Sequence, residues 1–483
     1  MKRFVISLTA VICCIGLSAQ QRRLSYEKTD STLLRKRPVT AAAYNVGTNL
    51  GLWVYDRCIK GSEFAKINIK TLKKNIETGF VWDSDRLATN HLGHPFNGGF
   101  YFAGARAAGM NYWQSLPYAV AGSFVWEIAA EKEPPGFNDF IATPIGGAVF
   151  GEVSHRISGL ILDGGATGAG RVGRELASFL VNPVRSVDRL FTGEMWRVRR
   201  GLESVPVPFE LSVAAGWRYI SDNHRGKDGS GAPYIGLSME YGDPVDASHN
   251  SPFEHFFGSV VISPDNGPDK QPLFSRVNLA GRLWSREIET SSQNTGAVWG
   301  IWQQYDFYHY RHASKDSDAA LFNFSETAAA GLGLVLERTG ETYRFSQRVF
   351  ADVILLGAAE NRNLFIIERH YNMGSGFAAK SYSELRLGRF TAGLTAKLFY
   401  LNTWKDKDYR TLPEETHPLY YDTPGDKGHN WAYVVEPSVK VNVCKHIGIG
   451  VSASFAGLNS SYKKFPDQKA RNADICLGIS YNL

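Results

Sequence analysis

His91 and His94 stand three residues apart and end against Pro95 in the stretch NHLGHPFNGGFYFAGARAAG, Asn90 to Gly109. Downstream, Glu127 and Glu131 are spaced i,i+4, which on one helix projects both carboxylates from a common face. Asn138 and Asp139 follow Pro134-Pro135, and Glu152 and His155 stand one helical turn apart beyond them. His91, His94, Glu127, Glu131, Asp139 and Glu152 are therefore the candidates for catalysis. One chemistry they allow is ester hydrolysis or acyl transfer. A histidine base polarised by a carboxylate activates water or Ser123, and a carboxyl desolvated by Phe124 and Trp126 serves as acid. A second is metal binding, since carboxylates with a Glu-x-x-His pair occur in di-metal helical bundles; those bundles use two such pairs and this chain has one. No cofactor is expected, and the metal question stays open.

A reading without chemistry fits the same residues better. GSFVWE is not a nucleophile elbow, and no serine, histidine and aspartate are set out at triad spacing. His91 and His94 then cap or lid the following helix. Arg106, Arg156, Arg171 and Arg174 pair with Glu127, Glu131, Asp139, Glu152 and Glu175 in one network that fixes the domain.

The elements that must position these residues are helical. Residues 97–190 show no period-two pattern, and the breaks at 111–113, at EKEPPGFND and at LDGGATGAG predict helices over 97–110, 114–131, 138–162 and 170–181. Asn138-Asp139 is the expected N-cap of the third. Arg106, Glu127 and Glu152 interrupt the apolar runs too soon for any of these helices to span a bilayer alone. Gly98, Gly99, Gly104, Gly146, Gly147 and Gly151 would each cost about 1 kcal/mol in an aqueous helix interior, so their number predicts close helix packing.

Four stretches, GFVWDSD, NHLGHPFNGGFYFAGARAAG, GSFVWEIAAEKEPPGFNDFIATPIGGAVFGE and VNPVRSVDRL, appear here in one order. Over roughly residues 45–195 the chain resembles an uncharacterised family of Gram-negative outer-membrane proteins, a domain of unknown function. The resemblance implies an outer-membrane setting and brings no mechanism.

Before these helices, MKRFVISLTAVICCIGLSAQ has the charged start, short apolar core and small-residue end of a secretory signal. Cys58, Cys444 and Cys476 remain after it, an odd and sparse set that argues against a disulfide scaffold in an oxidising compartment. The net charge of +6 is mild, and the basic tract LRKRP lacks the interleaved aromatics of a nucleic-acid site. Aromatic residues make up 13% of the chain and glycines number 48, which fits an exported β-rich protein.

From about residue 207 the pattern changes to period two. FELSVAAGWRYI, WAYVVEPSVKVNV, IGIGVSASF and DICLGISYNL each separate an apolar face from a polar or very small one. Trp217, Tyr219, Tyr241, Trp284, Tyr400, Trp404, Trp431 and Tyr433 fall near strand ends, as aromatic girdles do. About twelve strands are expected: 207–221, 229–243, 255–265, 272–288, 294–311, 319–338, 343–357, 374–388, 389–404, 429–443, 444–459 and 471–483. Tight links alternate with long polar ones, the rhythm of periplasmic turns and outer loops. Inward residues such as Glu210, Arg218, Arg282, Lys397, Glu436 and Lys440 are of mixed sign, which suits an occluded or weakly selective lumen.

The expected organisation is a signal peptide at 1–19, an N-terminal periplasmic segment at 20–80, an α-helical domain at 81–200 and a transmembrane antiparallel β-barrel at 201–483. In function this is an integral outer-membrane protein whose helical domain braces or plugs the periplasmic mouth of the barrel. An enzyme acting on lipid or lipopolysaccharide, and a passive pore or transporter, are the alternatives. The expected partners are outer-membrane lipids and the barrel-insertion machinery, with no nucleic acid; the oligomeric state is not readable.

Overall fold

A computed structural model describes residues 25–27, 35–198, 204–227, 229–248, 250–263, 273–312, 319–363, 369–404 and 423–483. The expected signal peptide and much of the long links after Ser263, His312 and Trp404 lie outside the described residues. The chain divides into two compact units that meet in sequence between Val207 and Pro208.

The first unit is helical. Its α-helices among the described residues are α1 (Pro38–Val54), α2 (Ile69–Thr78), α3 (His94–Ala107), α4 (Tyr112–Ala129), α5 (Phe137–Ile161), α6 (Gly168–Val181) and α7 (Pro183–Phe191). Two short π-helical turns, Tyr55–Lys60 and Thr89–Gly93, follow α1 and precede α3. The four expected helices are present as α3 to α6. α1 and α2 fall in the expected N-terminal segment at 20–80, and they and α7 are additions to the four expected helices. Capping explains two of these starts: Asn68 closes a capping box with Thr71 at the head of α2, and Asn182 accepts from the Arg185 backbone N–H at 3.0 Å before Pro183 in α7. None of the described helices is long and apolar enough to cross a membrane.

The glycines set the distance between α3 and α5. A Cβ on Gly98 would sit 1.9 Å from the Thr143 carbonyl oxygen, and one on Gly147 would sit 2.5 Å from the Gly98 carbonyl carbon. The two backbones thus touch where α3 passes α5. Either glycine, given a methyl group, would force the helices apart.

Buried ion pairs hold the rest of this unit. Glu152 of α5 takes Arg106 Nε at 2.6 Å and Arg156 Nε at 2.9 Å. Glu175 takes Arg189 at 2.7 Å. Arg37, just before α1, forms a two-point pair with Asp188 of α7 at 2.7 and 2.9 Å, and the Tyr44 hydroxyl donates to the same carboxylate at 2.6 Å.

The second unit is a closed barrel of twelve antiparallel strands, as expected. They are β3 (Phe209–Ser221), β4 (Ser230–Tyr241), β5 (Phe256–Ser263), β6 (Leu273–Glu287), β7 (Thr295–Tyr308), β8 (Phe324–Thr339), β9 (Tyr343–Glu360), β10 (Tyr371–Leu387), β11 (Phe390–Thr403), β12 (Gly428–Asn442), β13 (Ile447–Tyr462) and β14 (Gln468–Asn482). The last strand closes the ring on the first, with Leu477 opposite Trp217. Two short strands in the first unit, β1 (Ser25–Glu27) and β2 (Ser204–Pro206), pair with each other.

Alternation along each strand sorts apolar side chains outward and polar ones inward. In β9, Val349, Val353 and Leu355 are exposed while Arg348, Phe350, Asp352 and Ile354 are buried. Trp217, Trp284, Trp299, Phe377, Trp431, Ile449 and Leu477 extend the exposed apolar wall around the ring. Tyr241 departs from the expected girdle: it is buried and stacks on Phe256, with ring centroids 4.8 Å apart.

The inward charges are paired across the lumen. Arg276 of β6 binds Glu436 of β12, and Arg348 of β9 reaches Glu240 of β4 at 2.6 Å. Arg386 of β10 reaches Glu210 of β3 at 2.8 Å. Lys380 lies within 2.8–3.2 Å of Asp306, Glu326 and Asp352, and Lys397 binds Asp306 at 2.8 Å. Of the expected lining residues, Arg218 pairs with Asp474, Arg282 donates to the Pro244 and Asp246 carbonyls, and Lys440 donates to Ser212. Toward the long-link end, Tyr308, Tyr310, Phe322, Phe324 and Phe399 fill the interior as an apolar cluster. Toward the tight-turn end, a cavity of about 710 Å³ opens between Glu210, Arg276, Arg386, Glu436 and Lys440.

Candidate functional site

The sequence candidates come together only in part, and the helices decide which. His94 is the first residue of α3, reached through the π-helical turn that contains His91. Glu127 lies in the last turn of α4, and Asp139 in the first turn of α5. His94 Nδ1 is 3.8 Å from Glu127 Oε1 and 3.9 Å from Asp139 Oδ1. The three donor atoms all lie within 4.8 Å of one another, on three different helices.

The surroundings fix the far side of each group. Glu127 Oε2 accepts the Gly136 backbone N–H at 2.8 Å. Asp139 is hydrogen-bonded to Asp83, and Asp83 Oδ1 accepts from Asn90 at 2.5 Å and from Asn138 at 3.2 Å. Val81 lies opposite Gly136, its N–H donating to the Pro135 carbonyl and its carbonyl accepting from the Phe137 N–H, which brings the WDSD segment alongside the start of α5. Thr143 Oγ1 stands 3.4 Å from His94 Nδ1. Glu127 and Asp139 are 2% and 1% exposed, and their near-side oxygens, Oε1 and Oδ1, have no hydrogen-bond partner.

Burial governs the charge states. It pushes the Glu127 carboxyl up to about 8 and raises Asp139 well above the usual carboxylate range, where Asp83 raises it further. Burial lowers His94 from its ordinary value, with the Asp83 charge opposing. Burial also takes His91 down to about 3, with Asp83 opposing.

The other candidates stand apart. α4 ends at Ala129, so the i,i+4 argument for a shared helical face fails at Glu131, which lies beyond the helix. Its carboxylate accepts from Trp126 Nε1 at 2.6 Å, and burial followed by the Glu127 charge raises it well above the usual range. Asn138 and Asp139 sit inside the first turn of α5, because Gly136 is the residue before the helix. Glu152 is occupied by Arg106 and Arg156, away from the three donors. The expected single network therefore separates into an arginine-paired group around Glu152 and Glu175, and an arginine-free group around Glu127 and Asp139. The Ser123 hydroxyl donates to the Asp139 backbone carbonyl at 3.4 Å.

Asp83, Asn90 and Thr143 were not among the sequence candidates. Asp83 falls in GFVWDSD and Asn90 directly precedes His91, so position in the marked stretches was the available signal.

A family model described as a domain of unknown function (DUF3943) matches residues 79–184, which include all six sequence candidates. The resemblance to an uncharacterised family is thereby found over the helices that build this site. No curated protein matches the chain. Among solved structures, the chain is similar to an anion-selective porin from Comamonas acidovorans at 9% identity, covering 57% of this chain and 99% of that one, with a TM-score of 0.21. An outer membrane channel from Pseudomonas putida F1 is similar at 6% identity, over 59% of this chain and 99% of that one, with a TM-score of 0.26. The outer membrane channel DcaP of Acinetobacter baumannii is similar at 11% identity, over 58% and 97%, with a TM-score of 0.20.

Proposed function

We propose that the protein is an integral outer-membrane β-barrel whose helical domain lies in the periplasm and does the protein's work, while the barrel anchors it. The supporting observation is the barrel wall. A closed ring exposes tryptophan, phenylalanine and aliphatic side chains all round while its interior is charged. In water such a wall would be an aggregation surface, and in a bilayer it is matched to its solvent. The cross-lumen pairs and the aromatic cluster favour an anchor over an open passage. A passive pore finds its support in the cavity at the tight-turn end. Single-channel recording in planar bilayers separates the two. An anchor gives no steady conductance, whereas regular open steps would establish the pore.

A second reading, an enzyme acting on lipid or lipopolysaccharide, draws on the meeting of one histidine with two carboxyls of shifted acidity. Envelope lipid profiles of a deletion strain carrying wild type, His94→Ala or Glu127→Ala test it, once each barrel is shown to be folded. A lipid change that wild type restores and both variants fail to restore supports the enzyme. Lipids identical in all strains remove it.

A further inference from the structure

We infer that His94, Glu127 and Asp139 form a mononuclear binding site for a divalent first-row transition metal ion. The geometry begins with convergence: one imidazole nitrogen and two carboxylate oxygens, from three helices, all lie within 4.8 Å of one another. Donors about 2.1 Å from a tetrahedral ion stand roughly 3.4 Å apart, so each His94 separation of 3.8 or 3.9 Å needs to close by about half an ångström.

Convergence alone would not distinguish a metal site from a packed acidic corner. The second observation is that Glu127 Oε1 and Asp139 Oδ1 are fully buried, face this point and have no hydrogen-bond partner. An orphaned oxygen on each of two buried acids is costly unless something cationic or a shared proton satisfies it. Among the described residues, neither acid has an arginine or lysine in ion-pair range. Elsewhere in the same unit, Glu152, Glu175 and Asp188 each have a guanidinium.

The far side of each ligand has the support that metal ligands commonly have. The Gly136 N–H holds the second oxygen of Glu127, Asp83 holds Asp139, and Asn90 and Asn138 hold Asp83. The donor set selects the ion. An imidazole with two carboxylates suits zinc, iron or manganese, whereas magnesium and calcium prefer all-oxygen shells with several waters.

The test uses the full-length protein folded in detergent, stripped with chelator and titrated with Co²⁺ and then Zn²⁺. The expected result is one equivalent of Co²⁺, reported by visible absorption and displaced by Zn²⁺, with a rise in the thermal unfolding temperature of the helical unit. Glu127→Gln and Asp139→Asn preserve shape and should weaken binding at least roughly 100-fold, because loss of a supporting group alone costs about 10–100-fold. Glu152→Gln, equally buried in the same unit, should leave the affinity unchanged. Far-UV circular dichroism confirms that each variant keeps its helices; should Asp139→Asn fail to fold, the wild-type titration still decides. Wild type with no bound Co²⁺ or Zn²⁺ and no thermal shift overturns the inference, as does equal loss of binding in Glu152→Gln.

Discussion

Arg276 and Glu436 bind each other from strands six places apart in a ring of twelve, so their ion pair joins opposite walls of the barrel. Such a tie differs from a ladder hydrogen bond, because it exists only once the ring has closed. The pairs Arg348–Glu240 and Arg386–Glu210 act in the same way.

Lys380 tests how far the barrel depends on these interior charges. Its ammonium is the shared partner of Asp306, Glu326 and Asp352. Lys380→Met removes that cation and leaves three buried acids crowded together. The expected loss is about 3–5 kcal/mol, as for a buried pair broken on one side. Urea unfolding in detergent, followed by tryptophan fluorescence, measures it. A loss below about 1 kcal/mol, the worth of an exposed pair, would show that the interior is well hydrated.

Two glycine substitutions should act with opposite sign. Gly98→Ala pushes a methyl group into the Thr143 carbonyl, and overpacking of this kind costs about 1–3 kcal/mol. Gly173→Ala, in α6 with nothing within 4 Å of the new methyl, should stabilise by about 0.4–1 kcal/mol. Thermal unfolding of the helical unit, read by circular dichroism, gives both. Equal effects would show that the α3–α5 crossing yields enough to admit a methyl group at Gly98.

His155 should make the helical unit acid-sensitive. Its ring is buried and neither nitrogen has a hydrogen-bond partner. Burial, with Arg106, Arg185 and Arg156 around it, holds its affinity for protons well below the ordinary value of 6.5. The unfolded chain therefore takes up a proton as the pH falls through 6.5 while the native ring does not, and stability is lost on the acid side. From pH 6.5 to 5 the group contributes about 2 kcal/mol of that loss. The raised carboxyls of Glu127 and Asp139 work in the opposite direction. The quantity to measure is thus the difference in pH dependence between wild type and His155→Met. Parallel curves would mean that the ring is protonated in the fold.

The native cysteines report sidedness. Cys58, after α1, and Cys444, in the tight turn between β12 and β13, are exposed, while Cys476 is buried in the barrel. On the proposed placement of helices and tight turns in the periplasm, a membrane-impermeant maleimide should leave intact cells unlabelled and modify Cys58 and Cys444 after permeabilisation. Labelling of Cys58 on intact cells would place the helical unit outside.

The barrel was legible because each strand repeats the same two-residue choice, and twelve repetitions average out local exceptions. The helical unit was less so. α1 contains Thr40, Asn45, Gly47, Thr48, Asn49 and Gly51, poor helix formers that packing overrides, and α7 spans only nine residues. Within the site, residue types and rough positions were visible, but convergence was not. Sequence spacing relates residues on one helix, whereas His94, Glu127 and Asp139 come from three. The grouping of Glu131 with Glu127 failed because α4 stops two residues before it, and that of Glu152 because Arg106, 46 positions away, claims it.

The pairing of Arg37 with Asp188 has a mechanical consequence. These residues stand near the two ends of the helical unit, 151 positions apart, and their two-point contact brings both ends to one place. A pull from either flanking segment therefore meets the β1–β2 pairing, which lies outside it in sequence, and then this clasp. The two ties together keep the first and last parts of the helical unit side by side, and His94, Glu127 and Asp139 lie between them in sequence.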